Sequence, residues 1–193
     1  MKKILLAVCL LLLTATLMAQ PTFDLGLKAG VNFSKVSFDI DDYSAESITK
    51  SHVGAFSRIG FGRIFVQPEI YFTGKGGDLT SNVLTTATSF NFKSVDIPVL
   101  LGLKIIKSKT VGLHIVAGPV FSNITSKEVT GVEDIDESFY KNHYTGIQYG
   151  IGADILFLTV DARMENGLSN FYTLPSASGK NNTFMLSLGF KIL

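Results

Sequence analysis

The strongest signal in the chain is an alternation of apolar and polar residues that begins at Thr22. From there to Ser34, Phe23, Leu25, Leu27, Ala29, Val31 and Phe33 hold one parity. Asp24, Gly26, Lys28, Gly30, Asn32 and Ser34 hold the other. Successive side chains of an extended chain point to opposite faces, so this is a strand with one apolar face and one of charge, amide and glycine. The pattern returns in His52–Phe61 (with Phe56 and Ser57 on the less expected faces), Ile64–Thr73, Phe90–Lys104 and Val111–Ser122. It returns again in Tyr144–Ile155, Leu158–Glu165 and Phe184–Ile192. No stretch carries the helical period.

The connections alternate long and short. Long ones are Lys35–Ser51, Gly74 to about Thr88, Asn123–His143 and Gly167–Asn181; between them lie the turns Gly60–Arg63, Ile105–Thr110 and Leu156-Phe157. An even number of strands, each about ten residues long, with tight turns at one rim and elaborated loops at the other, is the signature of an up-and-down barrel. The predicted fold is all-β: an eight-stranded antiparallel up-and-down transmembrane β-barrel.

Alternation alone does not orient a barrel. A secreted lipocalin-like barrel turns its apolar face inward around a small ligand, and a membrane barrel turns it outward to lipid. Glycine crowds the polar face, which suits a packed lumen. Phe33, Phe72 and Phe121 gather at the long-loop rim and Phe23, Phe61 and Phe190 at the other, like the two aromatic girdles of a membrane barrel. The membrane orientation is therefore expected. Pro68, Pro98 and Pro119 stand inside strands, where a closed barrel has no free edge to excuse a missing N–H; bulges could absorb them, but the sequence shows none.

Composition narrows the setting. Lys2 and Lys3, the apolar run Ile4–Met18 and Ala19 read as a secretory leader cleaved after Ala19, leaving one domain over residues 20–193. Cys9, the only cysteine, falls inside the leader, so the mature chain has neither disulfide nor thiol chemistry. Removing Lys2 and Lys3 from a chain of net charge +1 leaves it one charge negative, with no basic stripe for nucleic acid.

Several short stretches carry a family resemblance over the whole mature chain. They are Gln67-Pro68-Glu69-Ile70-Tyr71 with Gly74, Val95-Asp96-Ile97-Pro98-Val99-Leu100, Ala117-Gly118-Pro119, Asp161-Ala162-Arg163 leading to Gly167-Leu168-Ser169-Asn170, and Leu188-Gly189-Phe190-Lys191. In this order they resemble the small outer-membrane β-barrel family of Bacteroidetes, the porin-like or PorT-like proteins. The resemblance places the strand prolines where that family carries them. It implies a Gram-negative outer membrane, export by the Sec pathway and insertion by the barrel-insertion machinery, although the closing Ile192-Leu193 departs from the family's usual aromatic end. It also allows a secretion-system or surface protein partner.

The chemistry reads as structural. Lys28, Arg58, Glu69, Asp96, Asp161, Arg163 and Glu165 fall on the lumen parity and are expected to pair, since an unpaired buried charge costs several kcal/mol. His52, His114 and His143 lack metal-ligand spacing, Gly74-Lys75-Gly76-Gly77 lacks phosphate-loop spacing and reads as a loop tip, and no cofactor is implied. Glu128, Glu133, Asp134, Asp136 and Glu137, with Asp39, Asp41, Asp42 and Glu46, form acidic surface loops that read first as solvated hydrophilic connections; the sharper reading has them meet lipopolysaccharide through divalent ions, or a protein. The expected function is a non-enzymatic, monomeric envelope scaffold with periplasmic termini and extracellular loops. A lipocalin-like binder or a narrow-pore channel is the alternative.

Overall fold

The computed structural model describes residues 21–38, 43–46, 48–81, 87–108, 110–130, 143–168, 172–174 and 177–193; the expected leader, residues 1–19, lies outside them. The strands are β1 (Thr22–Phe38), β2 (Tyr43–Glu46), β3 (Ile48–Phe61), β4 (Ile64–Ser81), β5 (Ala87–Lys107), β6 (Val111–Thr130), β7 (His143–Ile155), β8 (Leu158–Gly167), β9 (Tyr172–Leu174) and β10 (Ala177–Lys191). Eight of them pair with their neighbours in the order β1-β3-β4-β5-β6-β7-β8-β10, and β10 returns to β1, so the sheet closes. Two short strands ride on the long-connection rim: β2 pairs with the end of β4, and β9 with the start of β10. At the other rim the C-terminus is tied to β1, Ile192 N–H donating to Leu25 O at 2.7 Å and Leu25 N–H to Leu193 O at 3.1 Å.

The apolar face points out. Leu27, Val53, Ile70, Phe72, Leu101, Ile151 and Leu188 are exposed, while Lys28, Glu69, Asp96, Asp161 and Glu165 on the opposite parity are buried. A lipocalin-like binder needs the reverse, so that alternative falls. Aromatic rings mark both rims: Phe33 stacks on Phe184 at 6.1 Å and Phe157 lies 5.2 Å from Phe190. Inside, apolar residues on the polar parity fill gaps between charges, with Phe65, Leu100 and Val116 in one cluster.

Two expectations need correction. The strands outrun their apolar patterns at the long-connection rim: Gly74–Ser81 belongs to β4, β5 begins at Ala87, and β6 continues to Thr130. Twenty-one residues of β5 at about 3.3 Å each reach roughly 70 Å, far beyond a belt about 25 Å tall. There the pairing of β4 with β5 and of β5 with β6 persists without alternation in the sequence. Secondly, Gly74-Lys75-Gly76-Gly77 is no loop tip; Lys75 is a fully buried strand residue. As for the prolines, no bulge absorbs them. The ladder instead lapses beside each one, between Phe56↔Glu69 and Ile59↔Val66, between Pro68↔Val99 and Tyr71↔Asp96, and between Pro98↔Val120 and Leu101↔Ala117. Register is the same on both sides of every gap. Each proline turns its missing N–H toward the preceding strand and keeps its pairing to the next. The register shifts lie elsewhere, at Lys93/Ser94 and Lys104/Ile106 of β5.

Candidate functional site

The lumen is the chemically dense part of the molecule, because alternate residues of every strand deliver polar groups to it. Lys28 on β1 donates to Glu69 on β4 at 2.9 Å and pairs with Asp161 on β8 at 2.7 Å. Arg163 on β8 grips Glu69 with both terminal nitrogens, at 2.7 and 3.1 Å, and reaches Tyr71 Oη at 3.2 Å and Asp161 at 3.4 Å. Two-pronged guanidinium–carboxylate contacts combine strength with fixed geometry. Glu69 also accepts a bond from Gln67.

Toward the short-turn rim, Arg58 donates to Gln67 Oε1 at 2.8 Å and to Asp154 at 2.9 Å, its guanidinium 4.6 Å from the Phe65 ring centre. His114 bridges two carboxylates, Nδ1 3.3 Å from Asp154 and Nε2 3.2 Å from Asp161. Gly152 makes room for that bridge: a Cβ there would lie 2.3 Å from both Asp161 Oδ1 and His114 Nε2. Toward the long-connection rim, Lys75 pairs with Asp96 at 2.6 Å and with Glu165, and donates to Tyr144 Oη at 2.7 Å. Ser94 supports Asp96 at 2.9 Å and Gln148 supports Glu165 at 2.8 Å.

All seven lumen residues named from the sequence therefore sit inside, each in an ion pair. Lys28, Glu69, Asp161 and Arg163 form one cluster; Arg58 pairs instead with Asp154, and Asp96 and Glu165 meet through Lys75. Sequence reasoning missed Lys75 and left Asp154 out of the network. The parity of Glu69, Tyr71 and Thr73 continues to Lys75, and that signal was masked by the surrounding glycines. In the acidic surface set, Glu128 has its backbone in β6 opposite Asn91, and Glu46 lies in β2. Glu133, Asp134, Asp136, Glu137, Asp39, Asp41 and Asp42 lie outside the described residues.

A second cluster carries no fixed charge. His52 lies with Nδ1 2.6 Å from Asn32 Oδ1 and Nε2 2.9 Å from Ser187 Oγ. The Asn32 amide donates to Thr73 Oγ1 at 2.6 Å and to the Gly74 carbonyl at 3.1 Å. Serine, imidazole and amide in that order have the connectivity of a nucleophile, its base and an orienting group. All three, however, are buried in the lumen. Neither Ser187 nor His52 lines the clefts at the two rims. The set ties β1, β3, β4 and β10 together inside the barrel. Among the described residues no group of three or more His, Cys, Asp or Glu side chains could hold a metal ion.

The comparisons with known proteins agree with this architecture. Residues 18–173 match the family model described as an outer membrane protein beta-barrel domain. The chain belongs to that family. The outer membrane protein OprG of Pseudomonas aeruginosa aligns with this barrel at 11% identity over 91% of this chain and 97% of its own, with a TM-score of 0.55. Neisserial surface protein A aligns at 10% identity over 87% and 97%, with a TM-score of 0.50. The attachment invasion locus protein Ail of Yersinia pestis, solved with the heparin analogue sucrose octasulfate, aligns at 18% identity over 88% and 99%, with a TM-score of 0.45. At such identities the likeness to OprG and to Neisserial surface protein A is one of fold. No curated protein matches the sequence. As a member of this barrel family the protein is placed in the outer membrane of a Gram-negative bacterium.

Proposed function

We propose that this outer-membrane barrel is a non-enzymatic, monomeric envelope scaffold of the PorT-like type found in Bacteroidetes, with its lumen closed by ion pairs. The observation that carries the reading is the crossing of the lumen by Lys28, Glu69, Arg163 and Asp161, all buried and mutually bonded at 2.7–3.4 Å. A conduit needs hydrated, separable charges; charges that neutralise one another at contact distance leave neither water nor field for a permeant ion. The catalytic alternative is disfavoured by the enclosure of Ser187 and His52.

In this reading the leader over residues 1–19 directs Sec export, and the mature domain over 20–193 inserts with both termini in the periplasm. The strands that project past the belt then hold the long loops outside the cell. There the acidic loop residues would face lipopolysaccharide or a surface or secretion-system partner. The test is threefold. The membrane-extracted protein should migrate faster on SDS gels before boiling than after, planar bilayers containing it should show no steps of conductance, and a fluorophosphonate should not label Ser187. Steady single-channel steps would establish the narrow-pore alternative, and labelling lost on Ser187→Ala would establish an enzyme.

A further inference from the structure

The barrel wall is not continuous at the long-connection rim. β1 and β3 stay paired to Ser34↔Ile48, and β4 and β5 to Thr80↔Ala87, yet β3 and β4 part company after His52↔Thr73. From inside the lumen the Asn32 amide reaches the Gly74 carbonyl beside the split. One strand further on, the register of β5 against β6 slips at Lys93/Ser94, and Thr125, left out of the ladder, donates its hydroxyl to Lys93 O at 3.2 Å.

Between these two irregularities lies a cleft of about 340 Å³, lined by Lys50, Phe72, Gly74, Lys93 and Thr125 among others. A smaller recess of about 80 Å³ adjoins it around the same Lys50, Gly74 and Lys93. Gly74 forms the floor: the stem of Lys50 lies across it, 3.2–3.5 Å from where a Cβ would stand.

The lining has a definite chemistry. Ser51 and Thr125 are the exposed hydroxyl residues of the lining, the two lysines contribute ammonium groups, and no carboxylate lines either recess. Lys28 and Lys75 inside the barrel each meet two carboxylates. Lys50 and Lys93, by contrast, have no ion pair among the described residues. Below them Phe72 turns a ring that is 65% exposed toward the apolar belt. Two cations with no ion pair among the described residues, over a polar recess and with an aromatic ring on the hydrocarbon side, match an amphiphile that carries an anionic head and acyl chains.

We propose that this notch seats the phosphate of a phosphorylated, acylated glycolipid in the leaflet at the long-connection rim, with Lys50 and Lys93 holding the phosphate and Phe72 packing against an acyl chain. The inference rests on the membrane reading above. Charge-assisted hydrogen bonds of this kind are worth about a tenfold change in affinity each.

The experiment uses the mature protein in nanodiscs, with gel mobility before boiling as an independent check that the barrel has folded. Native mass spectrometry then compares retention of lipid A with that of its phosphate-free form, with inorganic phosphate as competitor. Expected is a clear preference of the unaltered protein for the phosphorylated lipid, at least tenfold weaker in Lys50→Gln/Lys93→Gln and unchanged in Lys107→Gln at the opposite rim. Equal retention of both lipids by the unaltered protein overturns the proposal, and needs no variant. So does full displacement by inorganic phosphate, which would mark a site for the free anion, or an equal loss in Lys107→Gln. A barrel that fails the mobility check refutes the membrane reading itself; a folded barrel without lipid preference refutes the notch alone.

Discussion

Replacing Lys75 by methionine leaves Asp96 and Glu165 without the ammonium that now bonds both. The side chains of all three are fully buried, so water does not take over the role of the cation. Removing one partner of a buried pair costs about 3–5 kcal/mol, because the remaining charge has lost its compensation. Methionine keeps most of the volume, so the cavity contribution is small. At a urea slope of about 2 kcal/mol per molar, the unfolding midpoint should fall by about 2 M. The assay is urea unfolding in detergent micelles, read from the fraction that keeps the fast-migrating band on unboiled SDS gels. Neutralising the whole cluster, as Lys75→Met/Asp96→Asn/Glu165→Gln, should recover all but about 1 kcal/mol. The Ser94 hydroxyl and the Gln148 amide can still donate to the new side-chain carbonyls. A single variant as stable as the unaltered protein, or a triple variant no better than the single, would refute the claim that buried charge pairing governs this part of the lumen.

Other consequences follow from the same geometry. Leu27→Arg, on the outward face at 57% exposure, should cost about 2–4 kcal/mol in lipid vesicles if the residue lies near the bilayer midplane; unchanged refolding there would mean that the face does not meet lipid. Gly102→Ala would set a Cβ 2.0 Å from Phe65 Cζ, and the ring is hemmed in by Arg58 and His114. A loss of about 1–3 kcal/mol is expected in the same urea titration, largely restored by adding Phe65→Leu. The two-residue turns differ at their first position, where Gly62 has φ 63° and Leu156 has φ 54°. A left-handed conformation costs a residue with a Cβ about 1 kcal/mol or more, so Leu156→Gly should raise the midpoint and Gly62→Ala should lower it.

How far the sequence could be read depended on which solvent each segment meets. Across the belt, lipid on one side and packed charge on the other force strict alternation, and there the faces of Lys28, Glu69, Asp161 and Arg163 were legible one by one. Above the belt that contrast ends. β4 and β5 go on pairing through Gly76, Gly77 and Asp78 with nothing in their polarity to announce a strand, which is why Lys75 looked like part of a loop. The prolines were read correctly as a difficulty, and the sequence did not show how it is met. A missing N–H can be met by a gap in one ladder while the other ladder holds register, and only the neighbouring strand shows that it is.

The sequence by itself determined the barrel, its even strand number, and the side of the wall to which each charged residue of the belt belongs, because alternation is a local property of an extended chain. It could not determine which charges meet. Lys75 and Glu165 stand 90 residues apart and Arg163 and Glu69 stand 94 apart; what brings them to one height is the register of every intervening strand and the closure of β10 on β1. Parity fixes a direction, whereas contact also needs a level along the barrel axis, and that level exists only once the sheet has closed.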